Sequence, residues 1–193
     1  MAAIAAAILA GGENSRMGAR CKAFIRVNGA YIIDRMISVL DNIFEEILIV
    51  VKDEAGFMRY KNSCIVTTDI IKGRGPLGGL HAALTCTSKD GVFLSACDMP
   101  YLHNGAIRRL ADAFGSGGYD CVCPETGRGI EPLHAVYSVR MLPGIERILT
   151  KEDNSMTSAI SRFRCRRIRA EESERASFIN INTKEELDKI NAA

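Results

Sequence analysis

Glycines and cations follow the first apolar segment of the chain at short spacing. Segment 9–18 reads LAGGENSRMG. Three glycines and two cations here and just beyond carry the pattern: Gly11, Gly12, Gly18, Arg16 and Lys22. Glycines at a strand end let backbone N–H groups approach phosphate oxygens closely, and nearby cations neutralise charge as a phosphoanhydride bond breaks. Since G-x-G-x-x-G is absent and the last glycine precedes alanine instead of Lys-Ser/Thr, neither the dinucleotide fingerprint nor the P-loop is present.

A carboxylate follows another apolar segment in the middle of the chain. Asp98 comes two residues after the apolar run 92–96, and Pro100 restricts Met99 to extended backbone. Mg²⁺ needs only one or two protein carboxylates, because it keeps waters and phosphate oxygens as its other ligands. Asp98 is therefore a candidate metal ligand. The alternative is that it caps the following helix, a common place for aspartate.

A second glycine-rich loop lies between these two sites. Asp69 precedes segment 73–80, which reads GRGPLGGL and includes Gly78 and Gly79. The loop is predicted to open a helix whose first-turn N–H groups and dipole receive an anion or a base edge, and its small residues leave room for a flat ring. Taken alone, such a loop is equally typical of a surface turn.

Short apolar runs alternate with helical patterns along the chain, which predicts an α/β fold of three-layer, Rossmann-like type with a mostly parallel sheet. The predicted strands are segments 3–10, 47–51, 64–67, 92–96, 119–123, 132–138 and 165–169. The predicted helices are segments 31–40, 77–84, 107–114, 142–149, 155–160 and 183–190, the last capped by Thr183 and Glu186. Segments 119–123 and 132–138 flank a turn at 125–129, which predicts a small antiparallel excursion. Because ligands of open α/β sheets gather beyond the carboxyl ends of the strands, we expect the loops at Gly11, Asp69 and Asp98 to converge.

Length and charge limit the possible classes of protein. The 193 residues and 47% hydrophobic content predict one domain, residues 1–193, with a substantial core. A net charge of +2 is too small to indicate a nucleic-acid partner. The arginine-rich segment 162–169 alternates with apolar residues, which favours an edge strand with solvated arginines, and a surface for an anionic ligand is the alternative.

Cysteine and histidine usage favours a cytoplasmic protein without a zinc site. The seven cysteines are scattered and form no C-x-x-C pair, which indicates reduced thiols. The apolar run 2–10 lacks a basic flank and leads straight into the glycine turn, so it predicts a buried strand and not a signal peptide. No segment is long enough to span a bilayer, and no membrane partner is expected. The three histidines, His81, His103 and His134, lack zinc-site spacing and are interpreted as surface or core residues.

Segment 9–22 resembles, in order, the LAGGxSxRMGxxxK opening of the molybdenum cofactor guanylyltransferases, the MobA-type branch of the nucleotidyltransferases. Four further segments are similar to that family, so that the resemblance covers nearly the whole chain: 75–80 (GPLGGL), 97–101 (CDMPY), 131–138 (EPLHAVYS) and 178–187 (FININTKEEL). Two positions depart from the pattern. Asn14 stands where the family usually has serine, and Cys21 replaces an acid that often precedes the lysine.

The resemblance implies transfer of GMP from GTP to molybdenum-loaded molybdopterin, with Mg²⁺ and with release of pyrophosphate. It implies that Arg16 and Lys22 stabilise the transition state and the leaving pyrophosphate, and that Asp98 holds Mg²⁺. Nucleotide contacts are implied for Leu9, Ala10, Gly11, Gly12, Lys22, Asp69, Gly78, Gly79 and Asp98. Pterin contacts are implied for Asn180 and Asn182, whose amides point the same way if this segment is a strand. Otherwise these asparagines end a strand and cap a helix.

Three other interpretations remain open at this stage. Cytidylyltransferases that act on the same pterin typically have L-A-A-G at the first motif, so that Gly11 favours guanine by analogy. A nucleotidyltransferase acting on a sugar phosphate or an isoprenoid alcohol phosphate would use the same nucleotide half. A regulator that binds nucleotide without turnover is the non-enzymatic alternative. Molybdoenzymes or cofactor-delivery proteins are possible protein partners.

Overall fold

The computed structural model describes residues 2–11, 21–150, 155–181, 183 and 186. These residues form ten β-strands, five α-helices and four short 3-10 segments. The strands are β1 (Ile4–Leu9), β2 (Arg26–Val27), β3 (Ala30–Tyr31), β4 (Ile47–Val51), β5 (Ile65–Thr68), β6 (Gly91–Ala96), β7 (Cys121–Thr126), β8 (Gly129–Ile130), β9 (His134–Ser138) and β10 (Cys165–Arg169). The α-helices are α1 (Ile32–Leu40), α2 (Gly75–Cys86), α3 (Asn104–Gly115), α4 (Leu142–Leu149) and α5 (Met156–Ile160).

One large sheet runs through the molecule. Its strand order is β10-β7-β9-β6-β1-β4-β5, and β8 pairs with β7 beside this path. Strands β6, β1, β4 and β5 are parallel to one another, whereas β9 is antiparallel to both of its neighbours, β6 and β7. Strand β10 is again parallel to β7 and forms the edge. The predicted fold class, a mostly parallel sheet with a small antiparallel excursion, is confirmed.

Helices cover both faces of this sheet. Neighbouring residues of a strand point to opposite faces, so each central strand serves two cores. In β1, Ala6 and Ile8 pack in the cluster that contains the apolar residues of α1 and α3. Ala5 and Ala7 pack in the other cluster, with residues of α2, α4 and α5. Three layers result, as the sequence predicted.

Two differences from the predicted elements concern turns. The turn predicted at 125–129 begins too early, because β7 continues to Thr126 and its reversal into β8 occupies only residues 127 and 128. The sequence analysis also missed the β2–β3 hairpin. Its turn consists of Asn28 and Gly29, whose φ angles are 50° and 83°. The Asn-Gly dipeptide is typical of such two-residue turns and was the available signal.

The helix cap predicted near the C-terminus and the reduced cysteines both agree with the structure of the described residues. Of the closing helix predicted over 183–190, only Thr183 and Glu186 are described, and they form the expected reciprocal cap. The Thr183 N–H donates to Glu186 Oε2 at 3.0 Å, and the Glu186 N–H donates to Thr183 Oγ1 at 3.2 Å. All seven cysteines are free thiols. No helix within the described ranges has the length and apolar character needed to cross a bilayer.

Candidate active site

A cleft of about 510 Å³ lies at the carboxyl ends of β1, β4, β5 and β6. The loops that were expected to converge, at Gly11, Asp69 and Asp98, all contribute to its surface. The lining residues are Leu9, Ala10, Gly11, Lys22, Val50, Lys52, Asp69, Gly73, Gly75, Pro76, Gly79, Ala96, Cys97, Asp98 and Leu133. This location is the one at which open parallel sheets usually bind their ligands.

The N-terminal end of α2 forms one wall of the cleft. Gly73 and Gly75 have φ angles of 75° and 56°, which favour glycine, and they bring the chain into the helix. A Cβ atom at Gly79 would lie 2.8 Å from Leu9 Cδ2, so glycine allows the helix to lie directly against the end of β1. The N-terminal end of α2, which carries the positive end of the helix dipole, therefore lies at the cleft and favours an anion or a polar edge there.

Gly78 lies outside the cleft lining, unlike the adjacent Gly79. A Cβ at this position would lie 3.1 Å from the Ile71 carbonyl oxygen and 3.1 Å from Arg74 Cβ. The structure thus gives Gly78 a packing contact with the loop before α2.

Lys22 and Asp98 face each other across the cleft. Lys22 Nζ lies 3.6 Å from Asp98 Oδ2 and donates a hydrogen bond to the Ile181 carbonyl oxygen at 3.1 Å. The Ile181 N–H in turn donates to the Asp98 backbone carbonyl at 2.7 Å. The lysine and aspartate side chains are 18% and 21% exposed, so water screens their charges only partly. A cation, a carboxylate and the chain near residue 181 are therefore held as one unit.

The second carboxylate oxygen of Asp98 suits a metal ion. Asp98 Oδ1 is buried, and no residue of the described ranges forms a hydrogen bond with it. Burying a charged oxygen without a partner is costly, and a hard divalent cation is a partner that such an oxygen prefers. The alternative role as a helix cap is wrong, because α3 begins at Asn104 and its N-cap is His103. The His103 Nδ1 accepts the Ala106 N–H at 3.2 Å.

Lys52 is a cleft cation that the sequence analysis missed. It follows β4 directly, and the rule that ligands gather at the carboxyl ends of strands would have found it. Lys52 lowers the pKa of Asp69, but burial has the larger effect and raises the pKa of this carboxyl above its usual value. A Cβ at Gly11 would lie 3.3 Å from the Lys52 backbone nitrogen and 3.4 Å from its Cγ. Gly11, Lys52 and Asp69 thus line the same part of the cleft.

The two cysteines near the cleft are not thiolates at neutral pH. Burial raises the pKa of Cys97 to about 12. Burial likewise raises the pKa of Cys21, whose Sγ donates to the Ala10 carbonyl oxygen at 3.7 Å. Since the thiolate is the nucleophilic form, neither residue is suited to covalent catalysis.

Comparison with known protein families identifies the family to which the chain and its cleft belong. The family model for the MobA-like NTP transferase domain matches residues 6–169, which include the carboxyl ends of all four strands that contribute to the cleft. The chain belongs to the MobA-like NTP transferase family. It is 36% identical to a protein named molybdenum cofactor guanylyltransferase from Desulfosudis oleivorans, over 100% of this chain and 96% of that relative. This MobA-like chain is accordingly a nucleotidyltransferase.

Solved structures share the fold of the MobA-like chain. Molybdopterin-guanine dinucleotide biosynthesis protein A from Archaeoglobus fulgidus superposes with a TM-score of 0.84 at 24% identity, and covers 97% of each chain. A Mycobacterium tuberculosis H37Rv protein solved in complex with manganese superposes with a TM-score of 0.72 at 15% identity. This match covers 100% of the MobA-like chain and 99% of the other. At these identities the likeness concerns the fold alone.

Several site residues predicted for the MobA-like chain are not part of the described cleft. Gly12, Arg16 and Asn182 lie outside the described residues. Asn180 is described and exposed, and it does not line the cleft.

Of the two interpretations of the segment around Asn180, the strand is wrong for the part of the chain that is described. Residues 179–181 follow a 3-10 segment, Glu172–Phe178, and form no strand. The physical reason is the Ile181 N–H, which pairs with the Asp98 carbonyl and not with a neighbouring strand.

His134 supports the cleft of the transferase from within the core. It is fully buried, and its ring packs edge-on against Phe93 at 5.0 Å and against Phe178 at 5.1 Å between centroids. Neither ring nitrogen has a hydrogen-bond partner among the described residues. Burial, with a smaller effect of His103, lowers the pKa of His134 to about 3. The histidine is therefore neutral in the folded transferase, as a core residue.

We expect the stability of the transferase to fall in mild acid because of His134. An unfolded histidine has a pKa of about 6.5, and the folded value is about 3, so between these values the unfolded chain binds more protons. Stability is therefore present above pH 6.5 and is lost as the pH falls. From pH 7 to pH 5 this one group costs about 2 kcal/mol. Urea unfolding of the wild type and His134→Leu at both pH values measures the difference, and equal losses would contradict the assignment.

Proposed function

We propose that this chain transfers GMP from GTP to molybdenum-loaded molybdopterin and releases pyrophosphate. The observation that carries the proposal is the Lys22–Asp98 pair inside a cleft at the carboxyl ends of the strands, in a member of an NTP transferase family. The name of the Desulfosudis oleivorans relative supports guanylyl transfer to the molybdenum cofactor. The name of the relative favours this acceptor over a sugar phosphate, and the Lys22–Asp98 pair in an NTP transferase family favours an enzyme over a regulator without turnover.

The nucleotide occupies the cleft between β1 and α2 in this proposal. A volume of about 510 Å³ is within the usual range for small-molecule sites. Leu9, Ala10 and Gly11 present backbone groups at the end of β1. Gly79 has no side chain and leaves room for the base on the α2 side of the cleft. Asp69 lies on the β5 side, where its carboxyl accepts hydrogen bonds from ribose or base.

Asp98 is the residue that holds the metal in this proposal. Its buried Oδ1 without a partner, together with the oxygen-only chemistry of a carboxylate, fits a divalent cation. We choose Mg²⁺, which ordinarily binds through one or two carboxylates and the phosphates of its substrate. A bound Mg²⁺ neutralises charge on the phosphate oxygens and orients them.

Lys22 stabilises the charge that moves during transfer. An oxygen of the pterin phosphate forms a bond to the α-phosphorus of GTP. The bond from that phosphorus to the oxygen that bridges to the β-phosphate breaks, and pyrophosphate leaves with the electron pair. The attacking oxygen is already an anion and needs no general base, so alignment and charge neutralisation supply the catalysis. The motif assigns the same role to Arg16, which lies outside the described residues.

The acceptor side is assigned to the chain that follows Phe178. The Ile181 backbone forms hydrogen bonds with the Lys22 side chain and with the Asp98 carbonyl oxygen, and the adjacent Asn180 is exposed. We propose that the amides of Asn180 and Asn182 contact the pterin or its phosphate. Molybdoenzymes or delivery proteins as partners, and a cytoplasmic location, remain predictions of the sequence.

Pyrophosphate release tests the proposed function directly. Purified protein with Mg²⁺ and molybdenum-loaded molybdopterin is expected to release pyrophosphate with GTP but not with CTP. Omission of the pterin is the control for simple hydrolysis of GTP. Release with CTP alone would identify a cytidylyltransferase. Release with neither nucleotide, from protein that binds GTP, would contradict transfer to this acceptor.

A further inference from the structure

Three cysteine sulfurs lie together at the β7–β10 edge of the sheet. The Sγ atoms of Cys121, Cys123 and Cys165 are all within 4.8 Å of one another. None of the three residues lines the cleft, and none is part of a disulfide. This cysteine cluster is therefore separate from the proposed transfer site.

Strand register places the three thiols on one face. Cys121 and Cys123 are two residues apart in β7, so their side chains point to the same side of the sheet. Cys165 of β10 is the register partner of Cys121 in a parallel pair, which puts its side chain on that side as well. A slip of β10 by one residue would turn Cys165 to the opposite face. The triangle of sulfurs thus follows from the native pairing of the edge strand.

The surroundings of the cysteine cluster supply sulfur ligands only. Cys121 and Cys123 are fully buried against α4 and α5, whereas Cys165 is partly exposed and connects the cluster to solvent. Within the described ranges no histidine or carboxylate belongs to the group. The hydroxyl of Tyr137 lies beside Cys123 and donates a hydrogen bond to the Pro132 carbonyl oxygen at 2.6 Å, so it is a neutral neighbour of the cluster and adds no soft ligand.

We propose that the three thiolates of Cys121, Cys123 and Cys165 form a binding site for monovalent copper. Thiolates are soft ligands that select thiophilic ions, and hard cations such as Mg²⁺ prefer oxygen. Structural Zn²⁺ is almost always four-coordinate, and the cluster offers three ligands, whereas Cu(I) accepts three sulfurs without a fourth ligand. Each thiol gives its proton to solvent as the ion binds. The bound ion joins β10 to β7.

Competition with a chromophoric Cu(I) chelator under anaerobic conditions tests the site. The wild type is expected to take one equivalent of copper from the chelator and to develop an ultraviolet thiolate-to-copper absorption band. Cys165→Ala is expected to lower the affinity roughly 100-fold or more, since even outer-shell changes cost up to that factor. Cys64→Ala removes a buried thiol outside the cluster and is expected to behave like the wild type.

Thermal unfolding provides a readout that does not depend on the chelator. Copper is expected to raise the Tm of the wild type and of Cys64→Ala, because an ion bound only by the folded state stabilises it. It is expected to leave the Tm of Cys165→Ala and of Cys123→Ser unchanged, with circular dichroism to show that both variants are folded. Copper retained by folded Cys165→Ala at wild-type affinity would overturn the proposal. The same holds if the wild type yields all of its copper to the chelator, or if Zn²⁺ displaces the copper.

Discussion

Replacing Asp98 by asparagine is expected to lower the rate of guanylyl transfer about 1,000-fold while the affinity for GTP changes little. The substitution keeps the size of the side chain but removes its negative charge, and therefore removes the proposed ligand for Mg²⁺. Losses of 10²- to 10³-fold are typical when one electrostatic group of a site is removed. Single-turnover pyrophosphate release measures the rate, and equilibrium binding of GTP measures the affinity.

Asp112→Asn is the matched control for this experiment. Asp112 is an exposed aspartate on α3, outside the cleft, and the same chemical change there is expected to leave the transfer rate unaltered. A transfer rate near that of the wild type in Asp98→Asn would show that the carboxylate is not required, and the proposed metal site would be wrong.

Lys22→Ala is expected to reduce transfer about 100-fold or more, with a smaller effect on GTP binding. The substitution removes the ion pair with Asp98 and the hydrogen bond to the Ile181 carbonyl oxygen. The cleft therefore loses a cation, and the chain near residue 181 loses one of its hydrogen bonds. The magnitude corresponds to one preorganised charge in a partly desolvated site. Steady-state kinetics with GTP and the pterin as varied substrates separate the effect on kcat from the effect on KM.

Two further variants separate catalysis from structure in the lysine experiment. Lys61→Ala removes an exposed lysine that pairs with Glu54 at 2.6 Å and does not line the cleft. Exposed ion pairs of this kind contribute little to stability, so this variant is expected to transfer GMP like the wild type. Lys22→Arg keeps the charge but offers a planar fork in place of a compact ammonium, and partial recovery is expected. If Lys22→Ala transferred GMP at the wild-type rate, the mechanism proposed for the phosphate step would fail.

The sequence predicted much of the cleft because strand ends are local features. Gly11, Asp69 and Asp98 each follow an apolar run, and the carboxyl-end rule was enough to expect them at one edge of the sheet. The same rule applies to Lys52, which was missed because no motif drew attention to it. A strand around Asn180 was one of two interpretations of that segment, and it failed because the Ile181 backbone N–H bonds to Asp98 instead of to a strand.

The amino-acid sequence by itself determined the parallel α/β architecture, the family and the glycine-rich loops, since each of these is encoded by residues close together along the chain. Only the tertiary structure decided which groups meet. Lys22 and Ile181 are separated by 159 positions, and their hydrogen bond depends on the C-terminal chain returning to the end of β6. Cys165 reaches Cys121 only through the register of β10 on β7. Contacts of this kind follow from strand order and pairing, which residue types and spacing alone do not specify.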